Sequence, residues 1–251
     1  MRAVLESLLR AKQLDVTLTS CDAPLLPERL AATGDAGLDA ALGGGLRRGH
    51  LSEIVGAPSS GRSTLVARLL TAATARGEAT AIVDTCDTWD PASAAAHGVV
   101  LERVLWVRVR AARRAQASHA NGAGLGAPAS ERVGESEGRS PSDDSDHYVL
   151  RALKAFSLVL QAGGFGLVVF DLADVPPLAI RRFPSTTWVR AARLVENRDT
   201  VALLVGAERI ARSAGGATLA LDTSRTNWRG ATARARLFTG VDPAPRVVKA
   251  R

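Results

Sequence analysis

Cysteine, aromatic residues and long apolar runs are all scarce in this chain of 251 residues. The two cysteines, Cys21 and Cys86, are too few for a disulfide framework. Aromatic residues make up 4%, so the core must be built mainly from alanine, valine and leucine. No apolar run reaches the roughly 18 residues of a membrane-spanning helix, and the charged N-terminal segment lacks the apolar stretch of a signal peptide. We therefore expect a soluble cytoplasmic protein with no membrane partner.

Lysine is scarce as well, and arginine carries nearly all the positive charge. Lysine occurs only at positions 12, 154 and 249, whereas lysine and arginine together number 32 and the net charge is +7. One interpretation is the codon usage of a GC-rich genome, in which arginine replaces lysine wherever lysine does not matter. The other is a basic surface that binds polyanions or an acidic partner. Composition leaves both open.

Predicted strands and helices alternate along the middle of the chain. Short apolar runs such as "AIVD" (81–84) and "LVVF" (167–170) are typical of strands that are covered on both faces. The stretch "STLVARLLTAATARG" (63–77) has the periodicity of a helix. Strands that alternate with helices predict an α/β fold with a mostly parallel sheet flanked by helices.

Two segments fall outside this pattern. Residues 1–32 predict an N-terminal arm, in which residues 3–14 form an amphipathic helix that is followed by a proline-containing linker. The core is expected at residues 33–248. Within it, residues 115–147 are poor in apolar residues and rich in glycine, serine, alanine and acids, which predicts a disordered insertion.

The stretch "VGAPSSGRST" (55–64) matches the phosphate-binding pattern G-x-x-x-x-G-K-[ST] at every position except the lysine. Glycines allow consecutive backbone N–H groups to form an anion cup, and the following helix adds its positive end. The arginine that replaces the lysine keeps the charge but is longer, planar and forked. The candidate nucleotide-binding residues are Gly56, Ser59, Ser60, Gly61, Arg62, Ser63, Thr64 and Asp171.

Asp171 ends a predicted buried strand and has two interpretations. An aspartate at this place orients Mg²⁺ in phosphate-loop enzymes, with the loop serine, here Ser63, as a second ligand. Alternatively, it is an ordinary aspartate at a strand end that caps the next turn. ATP and Mg²⁺ are thus candidate cofactors, and the residues assign neither.

Several motifs in one order resemble the RecA recombinases. The segment "TGDAGLDAALGGGLRRGHLSEIVGAPSSGRSTL" is similar to the RecA stretch that runs from a short helix through a glycine-rich turn and a strand into the phosphate loop. "AIVDTCDTWDPASAAAHGVVLERVLWVR" and "GLVVFDLADV" resemble later RecA strands. The resemblance covers residues 33–110 well and 148–210 loosely. It implies a RecA-like P-loop core with an N-terminal helix arm, binding of ATP, Mg²⁺ and DNA, and docking of the arm on a neighbouring subunit.

Three positions depart from the RecA pattern, all on the side of the γ-phosphate. Arg62 replaces the lysine, Cys86 stands where RecA proteins carry the glutamate that activates water, and Gly206 stands near their phosphate-sensing glutamine. A neutral thiol is a poor general base for water. With these changes the chain most resembles the ImuA family of DNA-damage-induced mutagenesis proteins.

That resemblance implies a non-catalytic or weakly catalytic accessory protein, to which we assign no catalytic residue. Its implied partners are RecA, an ImuB-like polymerase subunit, DNA of either strand type, and a second copy of itself through residues 1–20. The alternative is a DNA-dependent ATPase recombinase with an arginine-variant loop.

Arginines cluster where the RecA fold presents its DNA-binding loops and near the C-terminal end. The DNA-binding candidates are Arg181, Arg182, Arg190, Arg209, Arg212, Arg225 and Arg229. Arginines contact phosphates without reading sequence, but a solvated basic surface is equally consistent with the pattern. Gly215 and Gly216 are expected to make the segment after Arg212 mobile. Trp228 is either a stacking platform for bases or an anchor in the core or an interface.

Overall fold

A computed structural model describes residues 29–109, 141–211, 215–222, 224–230, 232 and 234–249. The arm and the self-association segment, residues 1–20, therefore lie outside the described residues, as does most of the predicted insertion. Within the described ranges the strands are β1 Leu30–Ala31, β2 Leu46–Arg47, β3 His50–Gly56, β4 Thr80–Asp84, β5 Val104–Arg108, β6 Leu167–Asp171, β7 Val201–Gly206, β8 Gly215–Leu221, β9 Ser224–Arg229, β10 Leu237–Pro243 and β11 Arg246–Lys249.

Seven of these strands form the central sheet, in the order β11-β8-β3-β7-β6-β4-β5. The neighbouring pairs from β8 to β5 are parallel, and β11 runs antiparallel to β8 at one edge. The predicted mostly parallel sheet is thus confirmed. Strand β3, which leads into the phosphate loop, and strand β6, which ends at Asp171, are separated by β7. Two small antiparallel pairs, β1 with β2 and β9 with β10, lie outside this sheet.

Helices cover both faces of the sheet. They are α1 Ala36–Leu42, α2 Arg62–Ala75, α3 Pro91–Ala96, α4 Pro141–Ala162, α5 Pro177–Arg181 and α6 Ser185–Val195 in the described part of the chain. Helix α1 begins because the Asp35 carboxylate accepts from the Leu38 N–H (2.9 Å), and it ends at Gly43, which has a φ of +73°. Asp90 and Pro91 start α3 in the same manner.

The alternation of side chains along the buried strands divides the core into two clusters. Ile82, Val169 and Leu203 face the side that contains α2, whereas their neighbours Val83 and Phe170 face the side that contains α4 and α6. Because both faces are covered, the strands can be apolar at every position, which explains the continuous apolar runs in the sequence.

The structure differs from the sequence-based expectations at four places. The segment with Gly215 and Gly216 is strand β8 and is not a mobile loop. The short helix α5 was not predicted. Arg234 and Arg236 alternate with apolar residues, a pattern that predicts a strand, but they precede β10, which begins at Leu237. Helix α4 begins at Pro141, inside the segment predicted to be disordered.

None of the helices in the described ranges combines the length and the apolar character needed to cross a bilayer.

Candidate functional site

The phosphate loop joins β3 to α2 and has the tight backbone that the glycines predict. Gly61 immediately precedes α2 with a φ of +91°, and Ser59 also has a positive φ, +64°. Gly56 has no room for a side chain, because a Cβ there would lie 2.4 Å from the Ser60 Oγ. The loop therefore presents its backbone at the N-terminus of a 14-residue helix, which favours anions.

The hydroxyl groups of the loop differ in their environments. The Ser60 Oγ is buried and has no hydrogen-bond partner among the described residues. Ser63, the candidate Mg²⁺ ligand, is exposed, and Thr64 is half-buried. The loop is thus complete as a backbone turn, and its serine is accessible to a ligand.

Arg62 is turned into the protein. Its side chain lies at the start of α2, the residue is only 7% exposed, and its Nη1 donates to the Ala173 carbonyl at 3.3 Å. Ala173 follows the end of β6, so the guanidinium is engaged with the loop after Asp171. To act as a cation above the phosphate loop, the Arg62 guanidinium would have to break its hydrogen bond to the Ala173 carbonyl and leave its buried position.

Asp171 and Asp84 lie side by side at the ends of the neighbouring strands β6 and β4. The pKa of Asp171 is raised to about 6, chiefly by burial; the nearby Asp84 and Asp174 contribute to the rise, while the Ala173 N–H and Arg62 oppose it. The Asp171 carboxylate accepts from the Ala173 N–H at 2.9 Å, which is the turn-capping contact expected for a structural aspartate.

Asp84 is fully buried and has structural partners. Its carboxylate accepts from the backbone N–H groups of Thr88 (3.1 Å) and Trp89 (2.9 Å) and from the Trp106 indole N–H (3.2 Å). These three donors fix the turn after β4. That turn contains Cys86.

Cys86 is a neutral thiol. Its pKa is raised to about 12, chiefly by burial and in smaller part by the carboxylates of Asp174, Asp171 and Asp84. The side chain packs against the core cluster on the α4 side of the sheet. At neutral pH this sulfur therefore cannot accept a proton from an attacking water.

Gly206, at the end of β7, has its side-chain space filled by the protein itself. A Cβ on Gly206 would lie 2.7 Å from the Ile210 Cδ1 and 3.2 Å from the Glu208 carbonyl oxygen. The chain therefore folds back over the position where the resemblance places a phosphate-sensing glutamine.

A buried carboxylate that the sequence analysis did not single out holds this folded-back segment. Glu53 on β3 is 3% exposed, and its Oε2 accepts from the N–H groups of Ile210 and Ala211, both at 3.0 Å. Its Oε1 accepts from the Thr218 hydroxyl at 2.9 Å and from the Arg209 Nε at 3.4 Å. The signal was present in the sequence, since Glu53 is the one charged residue inside the otherwise uncharged run 51–60.

The residues present fit a phosphate better than a magnesium complex. The backbone cup and the helix N-terminus suit an anion. However, the candidate ligand Asp171 has a raised pKa, and a buried guanidinium lies near enough to oppose that rise. In the described part of the chain no group of three or more His, Cys, Asp or Glu side chains is placed to hold a metal ion.

The DNA-binding candidates do not form one cluster of free cations. Arg181, Arg182, Arg190, Arg209 and Arg229 are exposed. Arg181 forms an ion pair with Glu208, and Arg209 pairs with Glu53. Arg225 is described only by its backbone in β9, and Arg212 lies outside the described residues.

A cavity of about 360 Å³ opens between α5, α6 and the segment that follows β7. Apolar side chains such as Ile180, Phe183, Trp188 and Ile210 line it, and the Arg181–Glu208 pair lies at its edge. The first and second DNA loops were expected at these segments. The described residues of both segments pack around an apolar cavity.

The hairpin of β9 and β10 packs against the phosphate loop. The Pro243 Cβ lies 3.0 Å from where a Cβ on Gly61 would be, and the Arg68 Nη2 on α2 lies 2.7 Å from the Asp242 Oδ1. This contact was not predicted. The C-terminal part of the described chain therefore helps to enclose the loop.

The mostly parallel sheet, flanked by helices and with a glycine-rich loop between β3 and α2, is consistent with a RecA-like core. A sequence model of the RecA N-terminal domain matches residues 19–116. The chain is similar to Protein RecA of Chlorobium chlorochromatii, with 44% identity over 75 residues that cover 30% of this chain and 21% of the relative.

Two further relatives are similar to the chain over comparable lengths. Protein RecA of Gluconobacter oxydans is 39% identical over 83 residues, 33% of this chain and 24% of the relative. Protein RecA of Paramagnetospirillum magneticum is 40% identical over 77 residues, 30% of this chain and 21% of the relative. The chain thus covers about a fifth to a quarter of the length of these relatives. The chain is thus similar to the RecA N-terminal domain over residues 19–116, and its fold is consistent with a RecA-like core.

Proposed function

We propose that this protein is a RecA-like accessory protein of the DNA-damage response that acts by binding and not by hydrolysing ATP. Its proposed role is in translesion mutagenesis or in modulating RecA-dependent recombination. Its proposed partners are RecA, an ImuB-like polymerase subunit and DNA. The observation that carries this proposal concerns the three altered positions. Arg62 is buried against the Ala173 carbonyl, the Cys86 thiol is protonated, and Ile210 fills the space beside Gly206.

The first of these positions is Arg62. Its guanidinium donates to the Ala173 carbonyl and is almost fully enclosed. A phosphate above the loop would have to draw a buried cation away from this acceptor. A lysine pointing out of the loop has no such cost.

The second and third positions are Cys86 and Gly206. A thiol with a pKa of about 12 stays protonated at neutral pH and activates no water. The space beside Gly206 is filled by Ile210, so no side chain there reaches a phosphate. Loss of the cation, the base and the sensor together favours a binding protein over a hydrolase.

The alternative, a DNA-dependent ATPase with an arginine-variant loop, is favoured by one observation. The backbone of the loop is intact, with positive φ angles at Ser59 and Gly61 and an exposed Ser63. Such a loop still suits an anion. Binding of a nucleotide is therefore compatible with the accessory role, and turnover distinguishes the two functions.

The deciding experiment measures ATP binding by calorimetry and phosphate release with and without single-stranded DNA. The variants are Arg62→Lys, Cys86→Glu and their combination. Arg68→Lys is the matched control, because Arg68 lies on the same helix, is half-buried and forms its ion pairs with Asp35 and Asp242. We expect background phosphate release from the wild type and from the control. DNA-stimulated turnover by the wild type at the rate of a RecA protein assayed in parallel would refute the proposal.

A second arm tests the accessory role directly. Purified bacterial RecA is mixed with the full chain, with and without single-stranded DNA, and association is followed by sedimentation velocity. We expect the chain to sediment with RecA, with DNA or with both. If the chain associates with neither RecA nor DNA, the accessory role is refuted, even if the chain also shows no ATPase activity.

A further inference from the structure

Two aromatic side chains are exposed together on the β9–β10 hairpin. Trp228 is 53% exposed and Phe238 is 50% exposed. They lie directly opposite each other in the two strands, and their ring centroids are 5.4 Å apart at an interplanar angle of 69°. By contrast, Phe156, Phe170 and Trp188 are buried in the core. Trp228 is therefore not an anchor in the core, although the sequence analysis allowed that interpretation.

The hairpin holds this pair in a fixed place. The Trp228 indole N–H donates to the Thr226 hydroxyl at 3.1 Å, so its polar group is satisfied within the hairpin and the ring offers an exposed surface. At the base of the hairpin, the Arg68–Asp242 ion pair and the contact of Pro243 with Gly61 attach it to α2 and the phosphate loop. A rigid aromatic surface loses little conformational entropy when it binds a ligand.

The charge around the pair is positive. Residues 224–243 contain four arginines and a single acid, Asp242. That acid is paired with Arg68 and also accepts from the Asn227 amide. Arg234 and Arg236 are exposed in the segment that joins the two strands, just before Phe238.

Exposed rings with cations around them match one ligand chemistry. Unpaired bases stack on aromatic rings, and the phosphates between them contact arginines without reading sequence. A duplex keeps its bases stacked inside and offers only its phosphates.

We propose that Trp228 and Phe238 form a stacking face for the unpaired bases of single-stranded nucleic acid, and that Arg234 and Arg236 bind its phosphates. The proposal rests on the DNA-binding part of the proposed function and assigns it to a surface away from the cavity at α5 and α6.

The test uses the full chain and a fluorescein-labelled deoxythymidine oligomer, with binding followed by fluorescence anisotropy at low and at physiological salt. We expect Trp228→Ala and Phe238→Ala each to weaken binding by about 5- to 150-fold, as the loss of one stacked base does. Trp228→Phe keeps a ring and should retain most of the affinity. Arg236→Gln should reduce the salt dependence by about one phosphate contact.

Leu237→Ala is the matched control. Leu237 is 66% exposed and pairs with Arg229, so it lies on the opposite face of the hairpin from the aromatic pair. We expect this variant to bind as the wild type does. Circular dichroism of each variant excludes loss of the fold as the cause of a change.

Three results would overturn the proposal. One is an undetectable affinity of the wild type for the oligomer, and another is an equal loss in Leu237→Ala and Trp228→Ala. The third is an unchanged affinity in Trp228→Ala together with a changed oligomeric state in sedimentation, which would make this face an interface between copies. Phosphate release measured in the same preparations reports on the proposed non-catalytic function separately, because Trp228 takes no part in it.

Discussion

Replacing Glu53 should destabilise the protein more than any exposed glutamate does, because its carboxylate joins three segments. Strand β3 carries it, Thr218 on β8 donates to it, and Ile210 and Ala211 after β7 donate their N–H groups. In Glu53→Leu the two N–H groups lose their acceptor inside the protein.

The magnitude follows from those contacts. A buried donor without a partner costs about 1–3 kcal/mol, so the two N–H groups cost roughly 2–6 kcal/mol. Burying a leucine instead of a carboxylate returns about 1.5–3 kcal/mol. The midpoints of these two ranges, about 4 and about 2 kcal/mol, leave an expected net loss of about 2 kcal/mol for Glu53→Leu. Glu53→Gln keeps one acceptor oxygen and should lose about 1 kcal/mol, since it gives up the charge that strengthens these bonds.

Urea unfolding followed by circular dichroism measures these differences in the free energy of unfolding. Glu102→Gln is the control, because Glu102 is exposed and its replacement should change this free energy by about zero. Limited trypsin digestion gives a local measurement, because cleavage after Arg209 should become faster once Glu53 no longer holds residues 210 and 211. A Glu53→Leu variant as stable as the wild type, with unchanged cleavage at Arg209, would contradict the reasoning.

Three other predictions concern the altered site. Because burial raises the pKa of Asp171 to about 6, above its unfolded value, the folded state binds the extra proton, and this group adds stability as the pH falls from 7 towards 4.5. Asp171→Asn should therefore be more stable than the wild type at pH 7.5, by up to about 2 kcal/mol, and the difference should shrink at pH 4.5 in urea titrations; a constant difference would count against it. With a pKa of about 12, Cys86 has about a thousandth of the thiolate of an ordinary cysteine, so iodoacetamide should alkylate it at least a hundredfold faster in unfolded than in native Cys21→Ser protein. Gly206→Gln should lose about 1–3 kcal/mol through the clash with Ile210, and Ile210→Ala in the same chain should recover part of that loss; simple additivity of the two changes would show that they do not meet.

The parts of the fold that the sequence predicted are those where one local signal decides the structure. Continuous apolar runs predicted β4 and β6, and the helical periodicity of residues 63–77 predicted α2. Strand β8 was missed because two glycines open it. Gly216 is needed there because the Leu51 carbonyl oxygen lies 2.3 Å from where a Cβ would be, a contact that only the paired strands reveal.

In the candidate site, too, the features set by local sequence were predicted and those set by distant residues were not. The glycine spacing predicted the backbone of the phosphate loop. The sequence could not predict where Arg62 points, because its acceptor, the Ala173 carbonyl, lies 111 residues further along the chain. The pKa of Cys86 likewise depends on burial and on three carboxylates brought together by separate strands.

The altered positions are linked through the phosphate-loop strand itself, and this linkage bears on whether single reversions restore activity. Glu53 on β3 accepts from the N–H of Ile210, and Ile210 fills the space beside Gly206. A glutamine at 206 must therefore displace a residue whose backbone is held by a buried carboxylate. Lysine at 62 would supply the missing cation but would leave that segment in place. For this reason we expect each reversion alone to fail, and only variants that also release the Glu53 contact to make room for a phosphate-sensing side chain.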